Sequence, residues 1–174
     1  RKEWNYMTEW KIKSGEIIPY TESADKLPAI SKYYDYDEGA PGKSAQSNGI
    51  TCIYRYAEVL LMYAEASTRA TNSVNQDALN AIQEVQKRAG YQDRQIELTT
   101  TTEPTAFLTA VSNERGWEFF AEMKRWFELV RLEKVKEVRA EEWDASTFNT
   151  NHHYYFPVPY QQVDLAGWTN NAGY

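Results

Sequence analysis

Ile53 to Ala70 reads I-Y-R-Y-A-E-V-L-L-M-Y-A-E-A-S-T-R-A, and this stretch decides the fold. It contains neither Gly nor Pro and is dense in Ala, Leu, Met, Glu and Arg, residues that lose little side-chain freedom in a helix. Tyr56, Leu60, Tyr63 and Ser67 recur at the helical interval, with Ala57, Leu61 and Ala64 widening the apolar stripe. Small Ala57, Ala64 and Ala66 beside large Tyr and Leu let a second helix approach ridge into groove. With so little polar face left over, the helix is expected to be central, with Tyr56 and Tyr63 in the core. Thr71-Asn72-Ser73 closes it.

Working outward, a second helix is predicted from about Asn75 to Ala89, with Ala78, Ile82, Val85 and Ala89 on one face. Gly90 stands where a C-terminal cap belongs, behind Lys87 and Arg88, whose charges suit the negative end of the helix dipole. The short connection makes these two helices an antiparallel hairpin. Pro104 fits the first turn of a third helix, capped by Thr102 or Glu103, with Leu108, Val111, Arg115 and Phe119 tracing one face and Phe107, Val111 and Glu118 another. Phe119 and Trp126 are assigned to the core. Lys124 to Arg139 is read as further helix, Glu141 to Asn151 as a polar loop, Tyr154 to Val158 as a short strand, and the remainder as a turn-rich tail. Before the central helix the pattern weakens. Lys11-Ile12-Lys13 and Glu16-Ile17-Ile18 around Ser14-Gly15 suggest a short hairpin, Ile30 to Tyr34 a strand, and the Pro and Gly residues between 19 and 49 a long irregular segment. The fold class is therefore mainly α: antiparallel helical hairpins with long irregular loops and short β segments.

A chain of 174 residues is most simply one domain, divided into an aromatic, loop-rich part (1–52), a helical core (53–139), and a loop with a tail (140–174). Nineteen Lys and Arg against 25 acidic residues leave a formal charge of -6, with no basic block of the kind nucleic acid requires. The single Cys, Cys52, excludes an internal disulfide and a Cys-based metal cluster. No apolar run approaches the roughly 18 residues of a membrane span.

Four segments, in order, resemble one family. Y-R-Y-A-E-V-L-L-M-Y-A-E-A (54–66) is similar to the signature segment of the SusD/RagB family, surface nutrient-binding lipoproteins of Bacteroidetes-type bacteria. Leu79 to Gly90 resembles that family's short helix ending in R-A-G, Asn113 to Arg131 its E-R-x-x-E-L…R-W-F-D-L-x-R block, and Tyr155 to Tyr174 its closing F-P-I-P…Q-N-P-G-Y segment. The family usually carries Gly where Met123 stands, so the break that Gly would impose gives way to the alternative of one long helix across Met123. The resemblance implies tetratricopeptide-like packing of the helical pairs. It further implies a non-catalytic binding subunit on the extracellular face of the outer membrane, which hands an oligosaccharide or other nutrient to a SusC-like, TonB-dependent transporter. Because the family's proteins are several-fold longer, the chain is expected to be the C-terminal part of such a protein, with signal and lipid anchor upstream.

The chemistry of the residues is compatible with capture and offers little for turnover. Glu114 and Glu118 lie four apart on one helix face, a spacing that the paired carboxylates of a glycoside hydrolase could use. Beside Arg115 they read better as structural ion pairs, with Arg55, Glu58 and Glu65 as partners. His152 and His153 are adjacent and point apart in an extended chain, so no metal site is expected. Asp35-Tyr36-Asp37-Glu38-Gly39 lacks the spaced ligands of a calcium loop and reads as a solvated acidic turn. No cofactor motif is present. Aromatics make up 14% of the chain, and a sugar ring stacks its C–H face on an aromatic plane while its hydroxyls bond polar groups at the rim. Trp4, Tyr6, Trp10, Tyr34 and Tyr36, in loop-like segments, are the candidate ligand-binding residues. The alternative to glycan binding is a helical module whose only ligand is another protein.

Overall fold

The computed structural model describes residues 5–11, 16–24, 26–33, 52–90, 98–138 and 154–174, with the side chains of Trp10 and Lys11 excepted. They fall into two compact units, Arg1–Met123 and Lys124–Tyr174, taken in turn.

The first unit is built on three helices: α1 (Tyr56–Thr71), α2 (Gln76–Ala89) and α3 (Pro104–Glu118). Four of their six ends have a local cause. Asn72 takes the left-handed conformation that ends α1 (φ 49°), an angle Asn tolerates better than most residues. The Asn75 side chain accepts the Ala78 N–H at 2.7 Å to cap α2, and the Gly90 N–H closes its far end on the Gln86 carbonyl. Glu103 caps α3 by accepting from Thr105 N at 2.9 Å and Ala106 N at 2.6 Å. These two backbone bonds, Ala106 first, hold its carboxyl below the ordinary value.

α1 packs on both α2 and α3. The core joins Leu61 and Ala64 of α1, Ala78, Leu79, Ala81, Ile82 and Val85 of α2, Phe107 and Val111 of α3, and Phe119 beyond it. The face that α1 buries is Glu58, Leu61, Ala64 and Thr68. This corrects the expected stripe: Tyr56 is 66% exposed and Tyr63 45% exposed, outside the core. The reason is steric and electrostatic. Ala64 and Thr68 are short enough for α2 to come close, and turning this face inward brings Glu58 within 3.8 Å of Arg115.

Two small antiparallel ladders precede the helices. β1 (Tyr6–Met7) pairs with β4 (Ala29–Ile30), Tyr6 opposite Ile30. β2 (Glu9–Lys11) pairs with β3 (Ile17–Pro19), Trp10 opposite Ile18. The expected hairpin is thus present, shifted toward Glu9 on its first strand, and the Ile30 to Tyr34 strand reduces to Ala29–Ile30. A single 3-10 turn, Tyr20–Glu22, follows β3.

α3 stops at Glu118, and Ala121 and Met123 both adopt positive φ, 62° and 59°. The chain breaks there without a Gly, so the single long helix does not form. In the second unit the segment expected to be helical from Lys124 to Arg139 is two helices, α4 (Arg125–Arg131) and α5 (Val135–Val138), separated by a turn with Glu133 at φ 55°. Leu129 and Val135 are buried, Trp126 is half-buried, and Phe127 is exposed. The Trp126 and Phe156 rings lie 6.4 Å apart.

No strand forms at Tyr154 to Val158, because Pro157 and Pro159 carry no N–H for a ladder. Side chains supply the bonds instead. Asn170 Oδ1 accepts from Val158 N at 2.8 Å, Asn171 Nδ2 donates to the Phe156 carbonyl at 2.6 Å, and the Tyr174 hydroxyl donates to the Tyr155 carbonyl at 3.0 Å. Between the two laced pieces a helix not foreseen in the tail, α6 (Tyr160–Ala166), starts after Pro159 and ends at Gly167, whose φ of 67° suits glycine.

Candidate functional site

The C-terminal end of α3 is where side chains of different elements converge. A helix leaves its last carbonyls without intrahelical donors and presents partial negative charge. Here those carbonyls meet donors from far along the chain. Lys32 Nζ donates to the Glu118 and Phe120 carbonyls at 2.8 and 3.2 Å, and Arg55 Nη2 to the Glu118 carbonyl at 2.7 Å. The Tyr33 hydroxyl donates to the Ala121 carbonyl at 3.2 Å and Asn5 Nδ2 to that of Trp117 at 3.5 Å.

The carboxylates of this region are enclosed by cations. Glu118 accepts from Arg55 Nη1 and from Arg88 Nη2, each at 2.5 Å. Glu122 accepts from Arg55 Nε and Nη2 and forms an ion pair with Lys32. Burial works against the charge on Glu122, but the bonds from Arg55 and Lys32 outweigh it and hold its pKa below the ordinary value. Burial likewise opposes the Arg55 charge, and the bonds to Glu122 and Glu118 reverse that and raise its pKa. The Tyr33 hydroxyl is pushed up by burial and then by the Glu122 charge. The guanidinium groups of Arg55 and Arg115 lie 4.7 and 5.3 Å from the Phe119 ring centre, within cation–π range.

The residues expected to form ion pairs occupy this seam or its edge. Arg55 engages Glu118 and Glu122, Glu58 approaches Arg115, and Glu65 bonds Arg69 one turn along α1 at 2.8 Å. Glu114 is fully buried, 3.5 Å from the Gln86 amide, and Gln86 in turn bonds Thr99 through both ends of its own amide. A general acid must be protonated near neutral pH and reach its substrate. Glu118 is held by two guanidinium groups and Glu114 is fully buried, so neither carboxyl is placed to reach a substrate.

Among the aromatic candidates, Tyr6 lies on β1 with its ring 4.8 Å from that of Phe120. Trp10 lies on β2 opposite Ile18. Trp4, Tyr34 and Tyr36 lie outside the described residues, as do the acidic segment 35–39 and the two histidines. Two further aromatics stand at the same end of α3: Tyr33, which is exposed, and Trp117, 59% exposed. Sequence reasoning did not single out Trp117. The signal was the outward stripe Thr109, Asn113, Trp117 at four-residue spacing, which continues a polar face. Among the described residues no group of three or more His, Cys, Asp or Glu side chains could hold a metal ion, and no helix is long and apolar enough to cross a membrane.

The family model of the SusD family matches residues 2–174. The chain is 29% identical to SusD-like protein P2 of Formosa agariphila, over 93% of this chain and 34% of that protein. It is 27% identical to SusD-like protein P25 of the same organism, over 80% of this chain and 26% of that one. The chain thus spans about a third or less of the curated relatives it matches. A SusD homolog from Bacteroides thetaiotaomicron superposes with a TM-score of 0.77 at 22% identity, covering 99% of this chain and 40% of that structure. A SusD superfamily protein from Parabacteroides distasonis gives 0.75 at 26% identity, covering 98% and 37%. A third structure, described as a laminarin-binding SusD-like protein, gives 0.59 at 22% identity, covering 96% and 34%.

Proposed function

From the premise that the chain belongs to the SusD family, we propose that it is part of a non-catalytic protein that captures oligosaccharide at the bacterial cell surface and delivers it to a TonB-dependent outer-membrane transporter. The observation that carries this reading is the family match over residues 2–174; a laminarin-binding structural relative supports the ligand class. On this reading the whole protein is held by a lipid anchor on the extracellular face of the outer membrane. Aromatics in the segment before α1 stack on sugar rings, with Trp4, Tyr6, Trp10, Tyr34 and Tyr36 as the residues to test first.

Two features of the site favour capture over hydrolysis. Glu118 is bonded by two guanidinium groups, and Glu114 is fully buried, so neither side chain is open to a glycosidic oxygen. Exposed Tyr33 and Trp117 offer rigid aromatic area beside polar groups.

The test is titration of the protein with laminarin oligosaccharides and a wider glycan panel by isothermal calorimetry, with reducing ends assayed on the same samples. Saturable binding without new reducing ends is the expected outcome. Release of reducing ends that is lost in Glu118→Gln would replace the binding reading with a hydrolase. Absence of binding to every glycan would favour a helical module that contacts protein only.

A further inference from the structure

Trp is among the residues that folding covers most completely on average, yet Trp117 is 59% exposed. It stands on the outward face of α3 one turn after Asn113, which is exposed as well. Side chains four apart on a helix are neighbours, with Cβ atoms about 5–6 Å apart, and a long one leans back toward the helix N-terminus. The indole therefore lies beside the Asn113 amide. A second amide approaches from the other end of the turn, where Asn5 Nδ2 donates to the Trp117 carbonyl at 3.5 Å. Asn5 is itself held in place: Ser31 N donates to its carbonyl at 2.9 Å, and the ring of the next residue, Tyr6, lies 4.8 Å from that of Phe120. Among the described residues, the Trp117 indole N–H, the Asn113 amide and Asn5 Oδ1 have no hydrogen-bond partner.

We propose that Trp117 is a sugar-stacking residue, and that Asn113 and Asn5 bond the hydroxyls of the ring that stacks on it. The subsite rests on the oligosaccharide-binding reading above and gives it a place on α3. The chemistry matches a sugar on both counts. The indole offers a rigid apolar plane for the C–H face of the ring, with an N–H at its edge. A hydroxyl both donates and accepts, and so does an amide, so one Asn answers a sugar hydroxyl in either sense. Both amides are neutral, and drying them costs less than drying a charge. A protein partner would be met better by further apolar side chains around the indole, whereas the outward neighbours along α3 are Asn113 and Thr109. The helix supports Trp117 and Asn113, and the bond from Ser31 supports Asn5, so little ordering remains to be done when the sugar arrives.

The experiment titrates wild type, Trp117→Ala, Trp117→Phe, Asn113→Ala, Asn5→Ala and Tyr63→Ala with laminarin oligosaccharides and the wider glycan panel by calorimetry, each variant first checked by thermal melting. Trp117→Ala is expected to weaken binding about tenfold, as loss of a stacked aromatic implies, and Trp117→Phe to restore most of it. Each Asn→Ala change is expected to cost about fivefold. Tyr63→Ala removes another exposed aromatic, from α1, and is expected to bind as wild type. A second readout looks at the residue itself. The chain has six Trp, and the indole N–H resonance that disappears in Trp117→Phe is expected to shift on adding sugar to wild type. Saturable binding by wild type with an unmoved Trp117 resonance, or with equal affinity in Trp117→Ala, overturns the subsite and leaves the oligosaccharide reading standing. Equal losses in Tyr63→Ala and Trp117→Ala also overturn it, and unchanged affinity in both Asn variants overturns the role of the amides. Wild type that binds no glycan overturns the reading and the subsite together.

Discussion

Met123 sits at φ 59° with its side chain 90% exposed, so its conformation brings backbone strain with little packing in return. A non-glycine residue in the left-handed region is disfavoured by about 1 kcal/mol, partly offset by the extra freedom glycine has when unfolded. Met123→Gly is therefore expected to stabilise the chain by about 0.5 kcal/mol, seen as a higher urea midpoint with an unchanged slope. The same logic extends to Ala121, at φ 62°. Glu118 is the opposite case. Its carboxylate answers Arg55 and Arg88 together, and removing one member of an enclosed ion pair leaves the others uncompensated. Glu118→Ala is expected to destabilise by about 3 kcal/mol in the same urea titration.

The helices differ in what their ends depend on. α2 carries its own signals: Asn75 before it, Lys87 and Arg88 in the last turn, and Gly90 after it. Asn75→Ala removes the one side-chain acceptor for the Ala78 N–H and is expected to lower stability by about 1 kcal/mol, measured by thermal melting of the helical circular-dichroism signal. α3 carries only its first cap. Its last turn is completed by Asn5, Lys32 and Arg55, none of which is near it in sequence. Such an end is expected to respond to changes at Lys32 or Arg55 while the Glu103 end does not, and amide exchange along α3 reads both separately. α6 shows a weaker signal that was present all along, Pro159 before a seven-residue helix and Gly167 after it, hidden because a strand assigned to the preceding segment left the rest as tail.

For the whole chain, acid sensitivity follows from Glu122. Its folded pKa is lowered, so its contribution is present above the unfolded carboxylate value of about 4.3 and is lost as pH falls through the lower folded value. Wild type is expected to exceed Glu122→Gln in melting temperature at neutral pH, with the gap narrowing below about pH 4; a gap independent of pH would remove Glu122 from the account. Family membership was legible because four ordered segments resemble the motifs of that family, and the helical class because α2 and α3 carry their own periodicity and caps. Asn75, Gly90 and the pair Glu103-Pro104 act within one turn of where they stand, and the sequence by itself determined those boundaries. Tertiary structure decided the rest. α1 is apolar on more than one side, so periodicity could not say that Ala64 and Thr68 would turn inward while Tyr56 and Tyr63 faced out; the close approach of α2 and the Glu58–Arg115 contact did. The break at Met123 and the meeting of Lys32 with Arg55 on Glu122 were settled in the same way, because a residue's burial and its charge partner depend on groups that only folding brings within reach.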